Sequence, residues 1–301
     1  MNVAADNAFM KFLEEKIKAY EGVMVPVKAS QAERLLTKKV DINKLHPNPD
    51  DEFCMPSIGP NYGIINSYVQ KFSRYNSMQV DAFNDPLMVE KVHPDGYMIL
   101  NGHHRWAAAL RLGFKKVPVK IVNLTQQTDI EKMLAASKHD KRVSLDLDET
   151  IFCGPNDTPE KPLPFPNNKI YKMRIRRGIP ALMHYFSSNG YDLWVYSADY
   201  YSLDYIRAFF KMYSVKVDGV ITGTGRKEKS YYTAKKKTDK LIAGKYNETI
   251  HIDRDLIVKT YKDLALFEEF KVDPDSPSWA KEVVRCIKEA DKNAEKSIRD
   301  K

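Results

Sequence analysis

The sequence predicts an α/β chain, a small α+β domain followed by a doubly wound parallel-sheet domain. Three observations predict it. From residue 143 onward short apolar runs alternate with helical patterns, and the runs end in Asp146, Ser197 and Asp253, as parallel strands joined by helical crossovers do. Ahead of them, a hairpin pattern over 86–100 feeds straight into a helix that starts at a glycine, Gly102. The 301 residues are 43% hydrophobic and 29% charged, which suits an ordinary globular chain of two domains of about 150 residues each.

Composition also excludes classes. No apolar run approaches the roughly 20 residues that span a bilayer, and the start Met-Asn-Val-Ala-Ala-Asp-Asn has neither the basic nor the apolar part of a signal peptide. Cys54, Cys153 and Cys286 are far apart and odd in number. They form no zinc pattern and no disulfide framework, so a reducing cytoplasm is the expected location and no membrane partner is expected. The net charge of +8 and a pI of about 9.1 are compatible with an anionic partner: a phosphorylated substrate, a nucleotide or a nucleic acid. The basic clusters, Arg174 to Arg177 and Lys235 to Lys237 among them, are short, and each reads as well as a solvated face. Nothing in the sequence fixes an oligomeric state.

In order along the chain, residues 5–20 carry Phe9, Phe12, Leu13, Ile17 and Tyr20 at helical spacing, and a second helical pattern covers 30–38; residues 1–38 form a helical lead-in. Lys39–Asn43 reads as a strand entering a loop with two prolines and the acids Asp50, Asp51 and Glu52. Tyr62–Phe72 is a helix. Pro86–Val92 and Tyr97–Leu100 are strands joined by the turn His93-Pro94-Asp95-Gly96. Gly102, His103, His104 and Arg105 then open a helix that Gly113 closes. Free N–H groups and the positive dipole end make that start an anion site. Val117–Val122 is a further strand, and 123–141 a linker ending in a helix, with the boundary near 138.

Val143–Asp146 reads as a buried strand running out into acids. Side chains two apart on a strand share a face, so Asp146 and Asp148 are expected to converge at its carboxyl end, where open α/β sheets bind ligands. Two carboxylates held so close need a cation or a shared proton, and an oxygen-only donor set favours Mg²⁺. An irregular loop of about 20 residues with Pro159, Pro162, Pro164 and Pro166 follows, then a helix over 175–188 and a strand over Asp192–Tyr196. The helix Leu203–Tyr213, a strand at Gly219–Ile221, a basic stretch and a strand over Thr249–Asp253 come next. Residues 256–301 are expected to finish as helices.

The segment Asp146-Leu147-Asp148-Glu149-Thr150 resembles the Asp-x-Asp-x-Thr motif of the haloacid dehalogenase (HAD) superfamily of phosphatases, whose core is Rossmann-like. The resemblance implies Asp146 as nucleophile, Asp148 as general acid/base and Ser197 as a phosphoryl-binding hydroxyl. Asp146, Asp148 (through its carbonyl) and Asp253 would hold Mg²⁺, with Asp255 in support. The family's lysine falls on Lys237, 16 residues before Asp253, or on Lys240. The insert after the first strand is too short for a folded cap, which leaves a site open to bulky substrates.

Residues 39–122, with the hairpin and Gly102-His103-His104-Arg105, resemble the ParB/sulfiredoxin superfamily. His103 stands where sulfiredoxins carry their catalytic cysteine, and the variant looks most like the free serine kinase branch. That implies ATP or ADP at Gly102, His103, His104 and Arg105, and an acidic base among Asp50, Asp51 and Glu52, with Glu52 favoured. The chain is therefore expected to divide into 1–38, a nucleotide-binding domain at 39–138 and a phosphatase domain at 139–301. Together they make a bifunctional kinase–phosphatase, by architectural analogy one acting on nucleic-acid ends. The rivals are a DNA- or nucleotide-binding regulator carrying a phosphatase, and an enzyme of serine or phosphoserine.

Overall fold

The computed structural model describes residues 3–19, 24–77, 83, 85–224 and 229–299. The chain divides into two compact units, one running to Leu124 and the other taking in nearly all the rest. The division falls earlier than the expected boundary near 138. The helix α5 (Gln127–Ala136) accounts for the difference, because Ile130 and Met133 pack with Trp194, Ile221, Ile242 and Tyr246 of the second unit.

In the first unit α1 (Val3–Lys18), β1 (Val25–Pro26), α2 (Gln31–Arg34), β2 (Lys38–Asp41) and β3 (Leu45–His46) precede α3 (Tyr62–Ser77). Then come the hairpin β4 (Leu87–His93) and β5 (Tyr97–Asn101), α4 (His103–Arg111) and β6 (Lys116–Val122). The sheet order is β2-β6-β4-β5-β3, with β1 added to β4. The helical pattern read over 30–38 shrinks to one turn, because Lys38 already pairs with Val119 in the sheet. Leu87, Val89 and Ile99 of the hairpin are fully buried against Trp106, Ala107, Ala108 and Ala109 of α4. Three alanines on one helix let it lie close to the strands.

In the second unit β7 (Lys141–Asp146), α6 (Asn167–Ile170), α7 (Ile179–Ser188), β8 (Tyr191–Tyr196), α8 (Leu203–Lys211) and β9 (Gly219–Ile221) follow α5. The unit continues with α9 (Lys229–Lys245), β10 (Glu248–Ile252), β11 (Leu256–Tyr261), β12 (Leu266–Lys271) and α10 (Trp279–Arg299). The sheet order is β12-β11-β10-β7-β8-β9. The four strands from β10 to β9 are parallel, and β11 and β12 add an antiparallel ribbon at one edge. That ribbon corrects the expectation of helices throughout 256–301: Leu256 to Tyr261 is rich in β-branched and aromatic residues, and its cross-strand partners outweigh the charges between them.

The strands alternate in address. Val143, Leu145, Leu193, Val195, Ile250 and Ile252 lie in one cluster with α7, α8 and α10, whereas Trp194 of the same sheet meets α5 and α9. α10 is recruited by Trp279, Val283, Cys286, Ile287, Ala290 and Ala294, one apolar stripe at helical spacing. Gly219 is required where it stands, since a Cβ there would fall 2.0 Å from the Trp194 ring. Of the basic stretch after β9, residues 225–228 lie outside the described residues and the rest forms α9.

Candidate functional site

β7 sits between β8 on one side and β10 on the other, all three parallel. Successive crossovers therefore leave β7 in opposite directions, and the crevice between the carboxyl ends of β7 and β10 is the switch point where such sheets take ligands. Leu145 pairs with Ile252 and Asp146 with Tyr196. Asp253 is thus one residue beyond the partner of Leu145, and Ser197 one beyond the partner of Asp146. Three of the residues singled out in the sequence arrive at one sheet edge by register alone.

Asp148 arrives differently from the expectation. The strand ends at Asp146, and Leu147–Ile151 form a single π-helical turn, a rare geometry that concentrates at functional sites. Asp146 Oδ1 accepts the Glu149 N–H at 2.7 Å and so caps that turn. Alternation along a strand does not carry Asp148, because the chain has left the strand. Its carboxylate instead accepts Ser197 Oγ–H at 3.0 and 2.8 Å and the Ala198 N–H at 2.8 Å. Ser197 is fully buried, so its hydroxyl orients Asp148.

Negative charge accumulates here. Burial pushes the Asp146 carboxyl above its ordinary range; the Glu149 N–H bond works against that, and the Asp148 carboxylate adds to it. Burial, Asp255 and Glu149 push Asp253 up, and burial with Asp148 pushes up Asp199. Among the described residues no three Asp, Glu, His or Cys side chains are grouped to hold an ion by themselves. The Asp148 carboxylate is engaged by Ser197, so the donors left are the carboxylates of Asp146 and Asp253 and the Asp148 carbonyl. That all-oxygen set, with its two carboxylates raised by burial first and like charge second, fits Mg²⁺. Lys237 and Lys240 are exposed on α9, and neither forms an ion pair with these carboxylates among the described residues.

Four features were invisible in the sequence reading. Asp199 accompanies Asp148, a Ser-x-Asp spacing after a buried strand that could have been read. Asp157, in the proline-rich loop, is nearly buried and holds both nitrogens of Arg254, beside Asp253, and Arg176 besides. No local pattern announces that pairing. Tyr201 lies in the loop between Ser197 and α8, near enough to Asp148 to feel its charge. Thr150 is fully buried with its hydroxyl unpaired.

In the first unit the hairpin delivers Gly102 at φ +105° as the N-cap of α4. Its missing Cβ would lie 2.5 Å from Leu87 Cδ2. His103 is buried, and its Nε2 accepts the Asn48 N–H at 3.1 Å while Nδ1 stands 3.5 Å from Asp51 Oδ1. His104 Nε2 accepts the Asn61 N–H at 3.2 Å. Phe53, next to Glu52, stacks on His103 at 5.4 Å and meets His104 edge-on at 5.1 Å. Burial lowers both imidazoles, His103 to about 4 against the pull of Asp51. The two histidines are therefore neutral acceptors that pin the loop 48–61. Arg105 bonds the main chain and carboxylate of Asp85 at 2.6 Å each. Asp51 caps the turn Glu52–Cys54 through the Phe53 N–H, so Glu52 stands in the turn whose Phe53 packs on the two histidines.

Residues 72–138 match the ParB N-terminal domain family. Two curated relatives match short stretches. An ATP-dependent L-serine kinase of Desulfurococcus mucosus is 40% identical over 48 residues, 16% of this chain and 19% of that protein. One of Staphylothermus marinus is 55% identical over 29 residues, 10% and 12% respectively. The chain thus spans under a fifth of the length of these relatives. Among solved structures, a free serine kinase in complex with AMP is similar at 14% identity and a TM-score of 0.23, over 66% of this chain and 87% of that one. A conserved hypothetical protein from Pyrococcus furiosus is similar at 18% identity and a TM-score of 0.21, over 37% and 47%. No helix is long and apolar enough to cross a membrane among the described residues.

Proposed function

We propose that the chain is a phosphoryl-transfer enzyme of two parts: a HAD-like, Mg²⁺-assisted phosphomonoesterase built on β7, and an ATP- or ADP-binding, kinase-like unit built on the hairpin and α4. The observation that carries the phosphatase is the convergence of Asp146 and Asp253 at the switch point, with Asp148 held over the same edge by Ser197 and the Ala198 N–H.

In this reading an oxygen of Asp146 attacks phosphorus, the bond from phosphorus to the ester oxygen breaks, and an aspartyl-phosphate forms. Asp148, protonated, gives its proton to the departing oxygen. As a carboxylate it then takes a proton from water, whose oxygen attacks phosphorus and releases phosphate and free Asp146. Bound Mg²⁺, at Asp146, Asp253 and the Asp148 carbonyl, would supply charge neutralisation on the phosphoryl oxygens. Ser197 fixes the direction of the proton transfer. Lys237, or Lys240, is left to neutralise phosphate from α9. Asp146→Asn should abolish phosphate release with circular dichroism unchanged; undiminished release would overturn the reading.

The kinase part is supported by the likeness to ATP-dependent L-serine kinases and by the glycine-started helix. Main-chain N–H groups of His103, His104 and Arg105 offer donors to the nucleotide phosphates, and Glu52 would take the proton from the acceptor hydroxyl. Free serine is the acceptor that likeness suggests. Transfer of label from γ-labelled ATP to serine by the Asp146→Asn chain, lost in Glu52→Gln, is the expected result, and ATP left intact would reduce the unit to a binding module.

A further inference from the structure

The irregular segment after the catalytic turn is strongly one-sided in charge. Between Glu160 and Arg177 the side chains of Lys161, Lys169, Lys172, Arg174 and Arg177 are all exposed, and none enters an ion pair among the described residues. The one acid of this arm, Glu160, is used: its Oε1 accepts the Gly178 N–H at 2.8 Å at the start of α7. Two apolar side chains stand out of the same arm, Phe165 at 78% exposure and Ile170 at 52%. Five cations without an ion pair among the described residues, of which Arg174 donates to the Glu160 carbonyl, stand on 18 residues with bare apolar side chains among them; the like charges repel and the apolar surface stays wet.

A second set of residues joins the arm to the catalytic edge. Phe152, which ends the π-helical turn, meets the Tyr201 ring at 6.1 Å. Tyr201 lies parallel to Tyr205, 7° apart at 6.4 Å, and Tyr205 packs on Tyr171 of the arm at 5.1 Å. The three tyrosines pack against the core of the unit and are only half-buried. A file of aromatic rings thus runs from beside Asp148 to the basic arm.

We infer that the arm and its tyrosine file hold a single-stranded nucleic acid whose terminal phosphomonoester is presented to Asp146. The inference rests on the phosphatase reading for the terminal step and on the arm alone for binding. Phosphate groups of a strand answer unpaired lysines and arginines, and bases stack on aromatic faces whatever their identity. An acidic phosphopeptide would answer the charges and leave the rings without partners.

The test uses full-length Asp146→Asn and a fluorescein-labelled dodecamer of thymidylate with a terminal phosphate, read by anisotropy against salt. The control is a phosphoserine peptide of equal charge. The dodecamer should bind at least tenfold tighter than the peptide, with a log–log salt slope approaching about −3.5, from roughly 0.7 per neutralised phosphate of a single strand. Lys169→Glu with Lys172→Glu should weaken it at least tenfold and flatten the slope by about 1.4. Phe165→Ala, at a site too exposed to affect folding, should weaken it severalfold with the slope unchanged. Tighter binding of the peptide, or dodecamer binding indifferent to the arm substitutions, would overturn the inference. Hydrolysis of p-nitrophenyl phosphate by the unaltered chain tests the phosphatase separately: no turnover, with arm-dependent binding intact, counts against that reading and for the arm as a nucleic-acid surface.

Discussion

Arg254 grips Asp157 at two points, Nη1 to Oδ2 at 2.9 Å and Nη2 to Oδ1 at 2.8 Å. The pair ties the loop after the π-helical turn to the residue beside Asp253. Asp157 also accepts the Gly154 N–H at 2.7 Å and faces Arg176 Nε at 3.4 Å. Asp157→Ala leaves Arg254 with the 3.5 Å contact to Asp275, Arg176 with the Pro274 carbonyl and the Gly154 N–H without its acceptor, whereas Arg254→Ala leaves Asp157 with Arg176 and the Gly154 N–H. In urea denaturation Asp157→Ala should therefore cost about 3 kcal/mol and Arg254→Ala about half as much. The reverse order would show that the pair does not organise the loop.

Ser197→Ala removes a donor from Asp148 without touching Asp146 or Asp253. The value of kcat for phosphate release should fall by about 10- to 100-fold with KM little changed, because proton transfer is the step Asp148 serves in the proposed reaction. An altered KM at constant kcat would give Ser197 the substrate-binding role instead.

Gly102→Ala meets both a left-handed backbone and Leu87 Cδ2 at 2.5 Å. A loss of about 2 kcal/mol or more in thermal unfolding of the first unit is expected, together with loss of nucleotide binding by titration calorimetry.

Acid should loosen the first unit. His103 titrates near 4 when folded and near its usual 6.5 when unfolded. Between those values the unfolded chain binds more protons, so stability falls as pH drops through that window and is fully present above it. The limit is about 3 kcal/mol, with His104 adding in the same direction. His103→Gln, whose carbonyl can still accept the Asn48 N–H, should flatten the dependence measured by chemical denaturation from pH 7 to 4.

The strand-terminal residues were legible because register does the rest: an acid or a serine after a buried apolar run needs only a parallel sheet to reach the same edge. Asp148 was legible as a residue and misread as geometry, since a turn stabilised by the Glu149 N–H leaves no periodic trace. The histidines were legible as residues of a helix start but not in their burial, because packing against Phe53 depends on a loop some 50 residues away in sequence. The β11–β12 ribbon was missed for a related reason. Its outer strand alternates half-buried and exposed positions that include Glu268, Glu269 and Lys271, as an edge strand should, and charge at that density reads as helix. Likewise Lys259 is fully buried among Glu248, Asp291 and Tyr191, partners drawn from β10, α10 and β8.

The indole of Trp279, at the head of α10, donates its N–H to the carbonyl of Arg254 at 2.8 Å. The catalytic turn and the loop that carries Asp253 are both translated before that helix. A ribosome-bound chain halted ahead of α10 would display every acid of the site and still lack the group that steadies one of its walls. In the order of synthesis, the acids of that edge therefore precede the indole that fixes the Arg254 carbonyl.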